Sequence, residues 1–449
     1  MKTAQLRMLI LELLLRIEKD RSFSHLLINR EIQKSNLTTK DEALLTQIVY
    51  GTLERKLTLD YYLSSYVDPT KKLDLWVKVL LRMSVYQMIF LDKIPDHAII
   101  HEAVEIAKQK GHRGTQGFIN GVLRNVQRKG VRDISEISDP VERLSIETSH
   151  PLWLVKRWIE QYGFQTTQEI CLANLEEKPI SVRIQPLRIA RGEAIQYLEN
   201  EGFQVKPSIF SEQGIIIEKG NILTNNLFKQ GMLTIQDQSS MLVAEVLKPE
   251  PGMTVLDACS APGGKATHIA EKMKNDGIVY AHDLHKKKVN LIEEKQRNLQ
   301  LSIIEATAYD ARKLQDKYKN TSFDRILVDA PCSGLGVITS KPEIKYEKTA
   351  EDIERLQSVQ SDILNHAAQL LKDDGLLVYS TCTIEKTENE EVIHQFLEKN
   401  PEFIVDTSFF NELPEVLQSS IGITEFGVQL FPQSFKTDGF FLTRLKKVK

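Results

Sequence analysis

Cysteine is scarce in this 449-residue chain: four residues, at 171, 259, 332 and 382, with no Cys-x-x-Cys pair among them. That spacing offers neither a zinc site nor a disulfide framework, so no metal is expected. Long apolar runs are missing too. No stretch approaches the roughly 18 apolar residues a membrane span needs. The N-terminal MKTAQLRMLILELLLRIEKD is interrupted by Glu12 and Arg16, and no small-residue cleavage site follows. It reads as an amphipathic helix, which makes the cytosol the expected compartment and excludes a membrane partner. Internal repeats, low-complexity tracts, a Walker A loop and a G-x-G-x-x-G are all absent. P-loop nucleotide and dinucleotide binding are therefore poor readings.

Charge of one sign is not in large excess either: the net is −3. Its distribution is uneven. Residues 1–140 hold 22 Lys and Arg against 17 Asp and Glu, whereas the remainder holds 36 against 44. Residues 101–132 carry seven basic and two acidic side chains, which accounts for the whole N-terminal excess. A basic stripe on an acidic chain points to a phosphate-contacting surface more directly than overall charge does, although a solvated helix face carries the same pattern.

Apolar residues make up 41% and charged residues 27%, as in globular proteins, and a prior of roughly 150 residues per domain suggests about three domains. Residues 1–135 read as helical throughout, with apolar positions at helical spacing in TAQLRMLILELLLRI, DEALLTQIVYGTLERKL, LWVKVLLRMSVYQMIFL, AIIHEAVEIAKQKG and GFINGVLRNVQRKG. Thr39 and Glu42 have capping-box spacing, Pro95-Asp96 opens a helix, and Gly111 and Gly130 follow basic last turns. A compact helical bundle follows from this. Gly117-Phe118-Ile119-Asn120-Gly121-Val122-Leu123-Arg124 resembles the last-helix signature of NusB-type RNA-binding domains. Residues 133–150, acidic and polar, read as a linker. Residues 150–231 alternate helices and short strands, a small α+β module akin to RNA-recognition folds but without their stacking aromatics.

From 232 to 449, apolar strands alternate with helices, the pattern of a parallel, doubly wound sheet with ligands beyond the strands' carboxyl ends. Chemistry is then expected just after Ala258, Asp283, Asp310, Ala330 and Thr381. Strand TVLDA runs into CSAPGGKATHIA, where glycines let the backbone approach a ligand and a helix N-terminus favours an anion. Asp283 closes the next strand, placed for ribose hydroxyls, and Asp310 the one after, placed for an adenine amino group. One strand-end aspartate is more often a cap; the ordered set fits S-adenosylmethionine, its carboxylate over the helix N-terminus.

Two strands end in cysteine-bearing loops, DAPCSGLG and STCTIEKTENE. Free cysteines are usually inert core residues, but a methylation of cytosine C5 gives a pair here a purpose. C5 is a poor nucleophile; a thiolate adding to C6 makes it enamine-like, and a base then takes the C5 proton so that the enzyme leaves. An electropositive strand-to-helix junction favours the thiolate. Asp329 is positioned as an acid for N3 of the base. Position alone does not choose between the thiols, since DNA cytosine methyltransferases attack with the cysteine of a Pro-Cys motif.

DACSAPGGK, DAPCSGLG and STCTIEKTENEEV, with Asp237-Gln238-Ser239-Ser240 and Asp438-Gly439-Phe440-Phe441, resemble the motifs of the Sun/NOL1/NOP2 group of RNA cytosine-C5 methyltransferases. The resemblance implies a multidomain α and α/β chain: an all-α NusB-like bundle, the small module, and a Rossmann-like class I methyltransferase domain. It implies that Cys382 attacks C6 and Cys332 assists product release. It also implies cofactor contacts from Cys259, Ser260, Ala261, Pro262, Gly263, Gly264 and Lys265, and from Asp283, Asp310 and Asp329, with Lys265 at the catalytic end. A NusB-like domain on this core implies a monomer acting on 16S ribosomal RNA or a small-subunit assembly intermediate, at a cytosine of the position-967 type. One departure stands in ISVRIQ, where Gln185 takes the place of an asparagine in the family's RVN-like strand, leaving that module's RNA contacts open. Competing readings are a DNA target or another RNA target such as tRNA, a dinucleotide-dependent oxidoreductase, and an RNA-binding factor with a non-catalytic methyltransferase half.

Overall fold

The computed structural model describes residues 3–20, 24–35, 37–68, 70 and 72–448. They form two compact units, one of Met1–Glu176 with Ile338–Glu347 and the other of Glu177–Val337 with Lys348–Lys449.

The first unit is helical: α1 (Thr3–Asp20), α2 (Ser24–Lys34), α3 (Thr39–Glu54), α4 (Lys56–Leu63), α5 (Leu75–Phe90), α6 (Asp96–Lys110), α7 (Arg113–Lys129), α8 (Pro140–Thr148) and α9 (Leu152–Ala173). Helix α5 is its hub. Every residue from Val79 to Gln87 is buried, and the helix touches α1, α3, α4, α6 and α7. A helix apolar nearly all round has to be enclosed by others, and the few polar groups on it are paired. Arg82 forks onto Asp60 at 2.7 and 2.8 Å and reaches Glu18 at 3.1 Å.

Two expectations are corrected here. The capping box on α3 is Thr38 with Asp41, not Thr39 with Glu42: Asp41 N–H donates to Thr38 Oγ1 at 3.2 Å and Thr38 N–H to Asp41 at 3.4 Å. Thr38 keeps the extended backbone that a cap needs, one residue before the helix. The stretch 133–150 is folded rather than a linker. Asp139 accepts from the N–H groups of Val141 and Glu142, Pro140 fills the first helical position, and Leu144, Thr148 and His150 are buried. Helix α9 contains a break at Gly163, whose φ of 79° separates the two helices expected there.

Ile338–Glu347 belongs to this unit although it is distant in sequence. Ser24 donates through N–H and Oγ to the buried Glu343 carboxylate, at 2.8 and 3.0 Å. Lys345 Nζ donates to the Glu54 carbonyl at 3.0 Å, and burial lowers its pKa to about 7.

The second unit begins with a four-stranded antiparallel sheet, β1 (Ile180–Ile184), β2 (Gln204–Pro207), β3 (Gly214–Lys219) and β4 (Leu233–Ile235), in the order β2-β3-β1-β4. The helix Arg191–Asn200 connects β1 to β2. Gln185 donates to the Leu299 carbonyl at 2.9 Å and is buried, so it serves packing.

The larger sheet contains β5 (Thr254–Asp257), β6 (Ile278–Asp283), β7 (Ile304–Ala308), β8 (Phe323–Asp329), β9 (Leu371–Thr381), β10 (Phe403–Val405), β11 (Ile423–Thr424), β12 (Gly427–Leu430) and β13 (Phe440–Lys447). Its order is β11-β12-β13-β9-β8-β5-β6-β7, with β10 also paired to β13. Strands β5 to β9 are parallel, as expected from their near-continuous apolar runs. The doubly wound sheet is mixed as a whole, because β13 runs antiparallel to β9, β10 and β12. The strand order reverses beside β5, with β6 on one side and β8 on the other. That is the switch point at which such sheets bind ligands.

Candidate active site

Register aligns the carboxyl ends of the parallel strands. Asp257 pairs with Ala281, Asp283 with Ala308, and Asp329 with Ser380, so the five loops that follow β5 to β9 emerge along one edge. After β5, Cys259 to Gly263 turn into the helix Gly264–Lys272. Gly263 has a φ of 93°, and a Cβ there would lie 3.1 Å from Ile292 Cα. Glycine is required twice over, by the backbone angle and by the close approach. Ser260 N–H donates to the His282 carbonyl at 2.6 Å and Gly263 N–H to the Ser260 carbonyl at 2.7 Å.

A cavity of about 320 Å³ opens over this edge, lined by Cys259, Asp283, Tyr309, Asp310, Arg312 and Pro331 among others. Three of the aspartates and cysteines expected in one site therefore do meet. Asp283 accepts from the His285 N–H at 3.0 Å and lies 3.7 Å from Lys288. Asp310 is bidentate with Arg312, at 3.0 and 2.8 Å, a pairing that holds its carboxyl below the usual range. Lys265, Asp329, Cys332 and Cys382 form a second cluster in the same unit. Lys265 Nζ donates to Asp329 at 2.6 Å, and Ser380 Oγ donates to the other oxygen at 2.9 Å. Burial works against the Lys265 ammonium, but Asp329 and then Cys382 outweigh it and its pKa is raised. The two thiols stand 3.4 Å apart, sulfur to sulfur. The hydrogen bond to Cys382, followed by burial, pushes the Cys332 thiol well up.

Sequence reasoning missed three residues here. Glu388 is buried and accepts from Ser333 N–H at 2.8 Å and Gln360 at 2.9 Å, fixing the chain next to Cys332. Inside TENEE it looks like one more solvated acid. Arg312, four residues past the end of β7, is exposed, and in sequence it reads as an ordinary solvated basic side chain. Asp257 is the third. Its carboxylate is fully buried at the end of β5, and neither oxygen has a hydrogen-bond partner among the described residues; nor has the Ser260 hydroxyl. Burial, then the Asp329 charge, raises its pKa to about 7, tempered by the nearby Ser260 hydroxyl and Cys259 N–H, which fall short of hydrogen-bond geometry.

An orphaned acid beside a helix N-terminus fits the two charges of a methionine moiety: the amino group for Asp257, the carboxylate for the N–H groups at Gly264 and beyond. Asp283 and Asp310 line the same cavity. Asp257 must lose its proton to accept an ammonium, so binding releases a proton below about pH 7. The affinity for S-adenosylhomocysteine is then expected to fall by up to about tenfold per pH unit below pH 7 and to level off above it. Titration calorimetry from pH 5.5 to 8 checks this, and a flat profile would remove Asp257 from the site. Among the described residues no group of three or more His, Cys, Asp and Glu is gathered as a metal needs, and no helix is long and apolar enough to cross a membrane.

A mixed sheet of this order, with a glycine loop after its first strand and acids closing the next two, defines a Rossmann-like methyltransferase that uses S-adenosylmethionine. Comparison with known proteins narrows the class. The family model "16S rRNA methyltransferase RsmB/F" matches residues 244–446, "NusB family" matches 4–128, and "Methyltr_RsmF/B-like, ferredoxin-like domain" matches 150–223. "Probable ribosomal RNA small subunit methyltransferase B" of Bacillus subtilis is 46% identical over 447 residues, covering 100% of both chains. "Ribosomal RNA small subunit methyltransferase B" of Pseudomonas syringae is 34% identical, covering 93% of this chain and 91% of its own. The crystal structure of PH0851 superposes with a TM-score of 0.82 at 28% identity, over 98% of this chain and 97% of that one. The chain belongs to the RsmB/F family and is an S-adenosylmethionine-dependent ribosomal RNA methyltransferase with a NusB region at its N-terminus.

Helix α7 carries the basic stripe. Its apolar side, Ile119, Val122, Leu123 and Val126, is buried, while Arg113, Arg124, Arg128 and Lys129 are exposed. Of the seven basic residues in 101–132, Lys108 and Arg132 are engaged by Glu105 and Glu136. Arg124 and Arg128 contact only the neutral Gln127, Asn125 and a carbonyl among the bonds described. Replacing Arg124, Arg128 and Lys129 with alanine is expected to weaken RNA binding and to flatten the plot of log K against log salt by about 2 to 3 units. An unchanged slope in filter binding would return α7 to an ordinary solvated face.

Proposed function

We propose that the chain methylates C5 of a cytosine in 16S ribosomal RNA, at a position of the 967 type, through a covalent adduct between Cys382 and C6. The observation that carries this reading is the pair of thiols 3.4 Å apart beside the Lys265–Asp329 ion pair. A methyltransferase acting on an exocyclic nitrogen or a ribose oxygen has no use for two adjacent cysteines.

In this mechanism the bound cofactor supplies an electrophilic methyl group. Lys265 stabilises the Cys382 thiolate, which adds to C6. The Lys265–Asp329 pair holds one proton between ammonium and carboxylate and lends it to N3 as charge builds there. Ser380 keeps the Asp329 carboxylate turned toward Lys265. After methylation a base takes the C5 proton, the C5–C6 double bond re-forms and the Cys382–C6 bond breaks, with the Cys332 thiol donating to the departing Cys382 sulfur. Cys259 through Lys265, Asp283, Asp310 and Asp329 hold the cofactor.

The proposal assigns 1–135 to RNA binding, 150–231 to the small module and 232–449 to catalysis, in a cytosolic monomer acting on the rRNA or an assembling small subunit. Its test is a map of 5-methylcytosine across rRNA and tRNA in cells with and without the protein. Loss of one 16S mark supports it. Loss confined to tRNA, or no loss of 5-methylcytosine, overturns it.

A further inference from the structure

We propose that Arg183 is a positioning residue for the cofactor loop, so that the small antiparallel sheet takes part in methyl transfer by holding the main chain of Gly264.

Arg183 lies on β1 and is completely buried. Its Nε and Nη2 donate to the two oxygens of Glu271, at 2.7 and 2.9 Å. The rest of the fork turns to the loop. Nη1 donates to the Gly264 carbonyl at 2.9 Å and also meets Gln236, while Nη2 donates to Thr267 Oγ1 at 3.1 Å. Thr267 Oγ1 in turn donates to the carbonyls of Gly263 and Gly264, at 2.8 and 3.1 Å. One guanidinium thus fixes, directly and through one hydroxyl, the last two carbonyls of the glycine turn.

Those carbonyls set the pitch at which the helix Gly264–Lys272 begins. That pitch decides where the N–H groups over the cofactor carboxylate point and where Lys265, the next residue, delivers its ammonium to Asp329. A buried ion pair is weak evidence for stability, because well-packed apolar side chains of similar volume often serve as well or better. What apolar side chains do not provide is a planar fork that holds a carboxylate and a main-chain carbonyl together. Glycines 263 and 264 have no side chains of their own to brace the turn, so the brace comes from another sheet.

The inference rests on the cofactor and not on which base is methylated, and S-adenosylhomocysteine binding by the full chain without RNA separates the two. Three variants decide it: Arg183→Met, the double variant Arg183→Met/Glu271→Met, and Arg183→Lys. Removing both charges is expected to restore the Tm that the single Met variant loses. Affinity is expected to stay about tenfold or more below the parent in both, as for loss of one charged hydrogen bond. Faster amide exchange across Gly264–Thr267 should accompany the loss. Parent-like affinity in a double variant of restored Tm overturns the proposal and leaves Arg183 a packing residue. Should the double variant fail to regain its Tm, Arg183→Lys decides, since it keeps charge and volume without the fork. Weakened binding there supports positioning, and unchanged binding overturns it.

Discussion

Cys382→Ala is expected to lower methyl transfer by at least about 10⁴-fold and to abolish the denaturant-stable protein–RNA complex, whereas Cys332→Ala is expected to accumulate that complex. The asymmetry follows from the environments of two sulfurs that are otherwise near twins. Cys332 is held as a thiol by its bond to Cys382 and by burial. Lys265 is raised in part by Cys382, which places the ammonium within reach of the Cys382 charge. A thiolate beside a cation adds to C6; a thiol beside the finished adduct is placed for release. Without Cys382 no bond to C6 forms, and nothing is trapped. Without Cys332, addition and methylation proceed and elimination stalls, so the adduct builds up while turnover falls. Radiolabelled methyl transfer and a denaturing gel read the two quantities separately. A complex that survives Cys382→Ala and vanishes in Cys332→Ala would exchange the two roles.

What the sequence made legible here is what depends on local punctuation. Glycines after a strand, acids closing the next strands and cysteines in the loops beyond are all set within a few residues of a strand end, and strand ends show in the apolar pattern. Asp283, Asp310 and Cys259 meet around one cavity for that reason. Less visible was anything resting on distant partners. Arg183 and Glu271 are 88 residues apart, Ser24 and Glu343 319 apart, and no periodicity signals either pair. Asp257 hid for a different reason. It occupies a strand position whose neighbours are apolar, and only its lack of a partner marks it. The helix at Pro140–Thr148 carries an Asp139-Pro140 start signal, but its acidic, polar composition is that of a linker and masks it. In the small module the sequence left the RNA contacts of ISVRIQ open, and Arg183 and Gln185 are both buried against other parts of the same unit.

Asp329→Asn is expected to reduce kcat by about 10² to 10⁴, the usual contribution of a positioned acid–base group. The substitution conserves shape, so the loss isolates charge. Asparagine can still accept from Ser380 through its carbonyl, but it then turns an amide N–H₂ toward Lys265, and two donors face each other. Lys265 is buried, and burial alone depresses its pKa; Asp329 is the largest influence in the other direction. Removing the carboxylate therefore lets the ammonium lose its proton more readily, and Cys382 loses its neighbouring cation as well as the base its proton source. Ionising the thiol becomes harder, so the acidic limb of the pH–rate profile should move to higher pH. Cofactor binding offers the control. Asp329 is one of several residues assigned to the cofactor, so S-adenosylhomocysteine affinity is expected to fall by less than about tenfold while kcat falls much further. A variant whose kcat stays within tenfold of the parent, with an unmoved acidic limb, would take Asp329 out of the chemistry and leave it a support for Lys265.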